Sequence, residues 1–201
     1  MKQHLMTIVG AIITLCCLHL HGQSTGSIDP LKSNSFAQRK AEIELLEEQR
    51  DQSIKSMIAV LNGNSSPDIK DSVAIVLGNC RAAQAVDALM QNIHLDVRGR
   101  IIKGFLTEDE MFPVTTSLEK IGNPSIPAII KYLGEKGRFL ESGTEEQRRA
   151  TDASALLLRA LCHIDGDKDI VRLRLQKALA AQHDPQEKAR LQSALDALAK
   201  M

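Results

Sequence analysis

The chain has 201 residues, ample for one domain with its own core, and with 25% charged and 43% hydrophobic residues its composition is that of a globular protein rather than a disordered tail. Its 25 basic residues balance 25 acidic ones, so charge gives no reason to seek nucleic acid or an acidic membrane surface. Aromatics are only 2%, with four Phe, one Tyr and no Trp. The core must therefore be aliphatic, and the ring-stacking platforms used for sugars and single-stranded nucleic acid are disfavoured.

The N-terminus is expected to be a targeting segment. Lys2 and the α-amine supply a positive start, and Leu5 to Leu18 form an apolar run of signal-peptide length. That run is shorter than the roughly 20 residues that span a bilayer. Ser24-Thr25-Gly26 fits the small-x-small cleavage rule best, and Gly22 before Gln23 is the second place. Cleavage is preferred to an uncleaved anchor. It is also preferred to a lipid on Cys16 or Cys17, because Leu15 and Cys16 stand where a small residue is needed. The expected organisation is a signal and the start of a linker over 1–26, a flexible linker over 27–36 and a helical domain over 37–201. No stable membrane span is expected after cleavage.

A long amphipathic helix is predicted over about 37–61, ending in the stripe Ile54, Met57, Ile58 and Leu61. Asn62-Gly63-Asn64-Ser65-Ser66-Pro67-Asp68 is a strong stop and turn. Helices at 69–78 and 82–93 follow. The segment 96–106 is either a first helix of its own or an insertion. Thr107 with Glu110 has the capping-box pattern, which favours a fresh start there, with Pro113 in the first turn. Gly134 to Gly143 is a polar loop. Thr144 with Gln147 caps a helix at 145–162; another spans 168–181, and Asp184-Pro185 opens a last one to about 199. No alternating stretch predicts a strand.

One passage of helical text returns. Val86, Leu89, Met90 and Ile93 stand at i, i+3, i+4 and i+7, as do Ile126, Ile129, Ile130 and Leu133, 40 residues later. Each stripe follows a helix that closes on aliphatic-Gly, Leu77-Gly78 in one copy and Ile121-Gly122 in the other. These units resemble HEAT repeats of the short bacterial type that is also found in bilin lyases. Asp68, Ile69, Ala74, Leu77 and Gly78 carry the resemblance in one unit. Leu118, Ile121, Gly122, Pro124, Ile126, Pro127, Ile129 and Leu133 carry it in the other. It covers about 67–134 well and 145–199 loosely, where His163-Ile164-Asp165-Gly166 replaces the aliphatic-Gly turn. The resemblance implies an all-α fold, a HEAT-like α-solenoid in which antiparallel helix pairs stack into a right-handed superhelix. The first long helix would then cap it. Asp68, and Asp96 with Arg98 in the motif Asp-x-Val-Arg, are expected to pair between neighbouring repeats and fix their stacking. Cys80 and Cys162 would lie about two repeats apart, roughly 20 Å or more at the spacing of packed helices. A disulfide needs Cα atoms within about 7 Å. Both are therefore expected to be small buried hydrophobes.

Other clusters have plainer explanations than chemistry. His163, Asp165, Asp167 and Asp169 suggest a calcium loop, but Gly166 falls at the second position and Gln176 at the twelfth. An interhelical turn capped by Asp167 is preferred, and no metal is expected. Arg148, Arg149, Arg159, Arg172 and Arg174 interleave with Glu145, Glu146, Asp152 and Asp169, as on a solvated, ion-paired face. His94, His163 and His183 lie near helix ends, outside any Gly-x-Ser-x-Gly, His-Glu-x-x-His or P-loop motif. No catalytic residue and no cofactor are expected. The expected function is an exported, non-enzymatic scaffold that binds a protein partner through the polar face of the second helices. Lys55, Asp87, Gln91 and Lys131 are the candidate contacts, and the chain is expected to be a monomer. The alternative is an accessory factor of the bilin-lyase kind, binding a tetrapyrrole or another small ligand.

Overall fold

The computed structural model describes residues 36–96, 111–139 and 144–201. Regular structure among them is helical, with no strand: α1 (Phe36–Asn62), α2 (Pro67–Asn79), α3 (Val86–Gln91), α4 (Pro113–Ile121), α5 (Ile126–Lys136), α6 (Glu145–Asp165), α7 (Lys168–Ala181) and α8 (Pro185–Lys200). The chain divides into two compact units, Met1–Ala59 and Val60–Met201. In the first, α1 buries Ile54 and Met57 on one stripe, whereas residues 44–52 are exposed. The remaining elements belong to the second.

Local chemistry explains most helix starts. Pro67, Pro113 and Pro185 open α2, α4 and α8, where the missing N–H costs nothing and the fixed φ suits the helix. Asp167 caps α7 by accepting the Asp169 N–H at 2.7 Å. Asp184 caps α8 by accepting those of Gln186 and Glu187 at 2.7 and 3.0 Å. The predicted helix over 82–93 is broken up: a 3-10 turn (Ala83–Ala85) leads into α3, and a second one (Ile93–Leu95) ends it. Thr107 and Glu110 lie outside the described residues, and α4 starts at Pro113.

Two stretches 40 residues apart fold alike. The turn Asn123–Ser125 leads into α5 as Ala83–Ala85 leads into α3. Val86, Leu89 and Ile93 are buried, and so are Ile126, Ile129 and Leu133 at the same spacing. Met90 and Ile130 are both half-buried. The turns before them differ. Gly122 ends α4 at φ 79°, the left-handed region that favours glycine. Gly78 does something else, contrary to the expected turn. It lies inside α2, and a Cβ there would stand 2.6 Å from the Ser117 Cα. Glycine at 78 lets α2 and α4 approach backbone to backbone. The left-handed residue after α2 is Arg81, at φ 50°.

Packing follows these faces. α2 lies against α4, and α4 against α6. α3 lies against α5, and α5 in turn against α8. The sequence predicts α7 as the partner helix after α6. α7 does pack on α6, but it also packs on α8, and α8 is the helix that covers α5. Leu191 of α8 packs at Gly134, 3.6 Å from where a Cβ would sit, an ordinary contact distance. Arg190 then donates to the carbonyls of Gly134 and Glu135 near the end of α5, at 3.4 and 2.7 Å. The core is aliphatic, with Leu77, Leu89, Leu118, Ile129, Leu157, Leu161 and Leu175 fully buried.

Candidate functional site

Asp87 lies in the first turn of α3, Gln91 at its last position and Lys131 in the middle of α5. All three are exposed, on helices that pack directly together. Their exposure follows from the stripe: with Val86, Leu89 and Ile129 inward, positions 87, 91 and 131 turn outward. Among the described residues Lys131 makes a long, exposed ion pair with Glu135 at 3.8 Å, which leaves its ammonium available to a partner. The face offers a carboxylate, an amide and a cation. Lys55 is exposed on α1, in the other unit.

Asp96 has a defined task. It is buried, and its two carboxylate oxygens accept the N–H groups of Val114 and Thr115 at 2.9 and 2.7 Å, together with the Thr115 hydroxyl. It therefore caps α4 from the end of the preceding helical segment, 18 residues away in sequence. The residue at the local cap position, Phe112, makes no side-chain cap bond. Further ties run between α2 and α4: the Ser117 hydroxyl donates to the Ala74 carbonyl at 2.8 Å, and Lys120 donates to the Asn79 side chain at 2.9 Å. Asp68 is exposed in the first turn of α2, where a carboxylate complements the helix dipole. Arg98 lies outside the described residues.

The acidic turn after α6 is occupied residue by residue. His163 Nδ1 stands 3.1 Å from a carboxylate oxygen of Glu119 on α4. Asp165 holds Arg174 through two bonds, at 2.8 and 2.9 Å. Asp167 caps α7, and Asp169 accepts from Arg172 at 2.6 Å. Among the described residues no group of three His, Cys, Asp or Glu is placed to hold a metal ion. Of the arginines, Arg159 stacks over the Phe112 ring at 5.2 Å, and Arg149 is exposed. The side chain of Arg148 lies outside the described part. His94 and His183 are exposed.

The cysteines need a correction. Cys80 and Cys162 are free but half-buried, not fully buried: Cys80 is the residue that ends α2, and Cys162 lies in the last turn of α6. Burial pushes the Cys162 thiol above its ordinary value; Lys168 opposes this and Asp165 adds to it.

Residue types alone concealed several contacts. Glu119 as the partner of His163 and Ser117 as the partner of Gly78 both come from another helix. Ile170 and Leu173 are exposed although α7 has apolar residues to bury. No described helix is long and apolar enough to cross a membrane. Compared with known protein families, curated proteins and solved structures, the chain finds no match.

Proposed function

We propose that this chain is an exported, non-enzymatic binding module whose helices stack in the manner of HEAT repeats and whose polar face on α3 and α5 recognises a protein partner. The observation that carries the reading is the structural recurrence at 40 residues. The same 3-10 entry, the same buried stripe and the same outward positions appear in α3 and α5. A helix pair that cannot bury its stripe alone gains a core by stacking on a copy of itself, and the outward positions then line up as one surface. Asp96 supports stacking by joining one unit to the first helix of the next. The apolar run Leu5 to Leu18 supports export.

The test is a cross-linked pull-down with the full chain, tagged at its C-terminus, against the double variant Asp87→Lys with Lys131→Glu. One protein retained by the wild type and lost by the folded double variant is expected. Equal retention by both baits would remove this face from the proposal.

A further inference from the structure

Large apolar side chains exposed among the described residues fall on two helices and the last residue: Leu45 and Leu46 on α1, Ile170 and Leu173 on α7, and Met201. Leu173 is the most open, at 64%. It sits on the face of α7 opposite the buried Val171 and Leu175, with Ile170 three residues before it and Lys177 four residues after. Side chains at those spacings are neighbours on a helix surface.

The charges around the two patches are opposite. Residues 44–52 are all exposed and contain four carboxylates, Glu44, Glu47, Glu48 and Asp51, against one cation, Arg50. α7 contains four cations, Lys168, Arg172, Arg174 and Lys177, against one carboxylate, Asp169. Arg172 and Arg174 are held by Asp169 and Asp165. Lys177 stands exposed beside the two apolar side chains. An acidic stretch with exposed leucines and a basic helix with exposed Ile and Leu suit each other, since apolar contact supplies attraction and the charges set the pairing.

We propose that the exposed acidic stretch 44–52 of α1 in one copy of this chain docks on the outer face of α7 in a second copy. The interface uses neither Asp87 nor Lys131, so it stands independently of the binding face proposed above. It replaces the expectation of a monomer. The two surfaces are unlike, so each copy carries one donor patch and one acceptor patch. Such head-to-tail contacts propagate beyond a dimer unless a ring closes.

Sedimentation equilibrium of the full chain tests this. The mass should rise with concentration from 22.0 kDa through twice that value. Raising the salt from about 0.1 M to about 1 M, which shortens the screening length from about 10 to about 3 Å, should weaken it. Leu173→Glu, and separately Glu47→Lys with Glu48→Lys, should each hold the mass near that of one chain. All three positions are exposed, and unchanged helicity by circular dichroism confirms folding. Mixing the two variants should restore a dimer and nothing larger, because each keeps the patch the other lacks. The proposal is overturned by a wild type that stays at one chain mass, which is also the outcome if the patches serve a different partner or meet within one chain. It is equally overturned by association that survives both variants, or by a mixture that stays monomeric.

Discussion

The α2–α4 contact and the α6–α8 region are built on different principles. Where α2 meets α4, the contact depends on small and polar residues reaching across sequence. Gly78 admits the Ser117 backbone, Ser117 bonds the Ala74 carbonyl, and Asp96 supplies the cap that α4 lacks locally. In α7 and α8 the capping is local. Asp167 and Asp184 cap their own helices, and although Arg190 reaches the end of α5 and Asp165 holds Arg174, the buried side chains between helices are chiefly leucines: Leu157, Leu158, Leu161, Leu175, Leu191 and Leu198. A helix whose cap is supplied from elsewhere can form only when its neighbour is in place. A helix that caps itself has part of its stability before it docks. The first region should therefore fail as a whole when one polar contact is lost, and the second should lose stability in small steps.

The largest effect expected is common to both principles, because it attacks the stripe itself. Leu89 and Ile129 are both completely buried. Leu89→Asp or Ile129→Asp buries a charge with no partner, a cost of about 5 kcal/mol or more. That is comparable with the whole stability of a domain of this size, about 5–15 kcal/mol. Both variants should be unfolded or nearly so by circular dichroism at room temperature. An unchanged thermal midpoint in either would mean that the recurring stripe is not the core.

Asp96→Ala should come next. It removes acceptors from two backbone N–H groups and one hydroxyl in a site only 5% exposed. Hydrogen bonds to charged groups are worth about 1.5–3 kcal/mol each and are not additive, so a loss of about 3 kcal/mol is expected. The urea midpoint should fall with the slope unchanged, and Asp96→Asn, which keeps one acceptor oxygen, should recover part of it. A loss below about 1 kcal/mol would show that α4 forms without its long-range cap.

Gly78→Ala sharpens the same comparison through its sign. At an open helix position alanine gains about 1 kcal/mol over glycine. At 78 the new Cβ meets backbone of α4, which no side-chain rotation can move aside. The helices must separate, and a net loss of about 2 kcal/mol is expected, as for other overpacked contacts. A stabilised variant would refute the close approach.

How much of this was legible in the residues follows the same division. The stripes on α3 and α5 showed in the sequence because helix periodicity places their residues on one face without reference to any neighbour. The caps at Asp167 and Asp184 showed for the same reason, being local. Gly78 did not, since a glycine that ends a helix and one that admits a neighbour look alike until the neighbour is in place. The covering of α5 by α8 was also hidden, because it depends on Leu191 packing at Gly134 and on Arg190 reaching the end of α5, both contacts between residues more than 50 positions apart. The candidate face was legible as far as exposure goes, with Asp87, Gln91 and Lys131 all outward. The apolar opening on α7 was not, because periodicity assigns Ile170 and Leu173 no partner.

The smallest effect expected separates local from long-range capping. Asp184→Ala removes an exposed side chain that accepts two N–H groups of its own helix, at 2.7 and 3.0 Å. Water can replace that acceptor, so the loss should be about 1 kcal/mol, near a third of that for Asp96→Ala. It should also differ in kind. Amide exchange should quicken in the first turn of α8, while the buried positions around Leu118 and Leu89 keep their protection, because α8 is still anchored by Leu191, Ala194 and Leu198. Asp96→Ala should instead speed exchange across α2, α3 and α4 together, since the cap joins them. Equal protection losses in the two variants, spread over the same helices, would mean that the region from Val60 to Met201 unfolds as one unit and that the contrast between its halves has no energetic consequence.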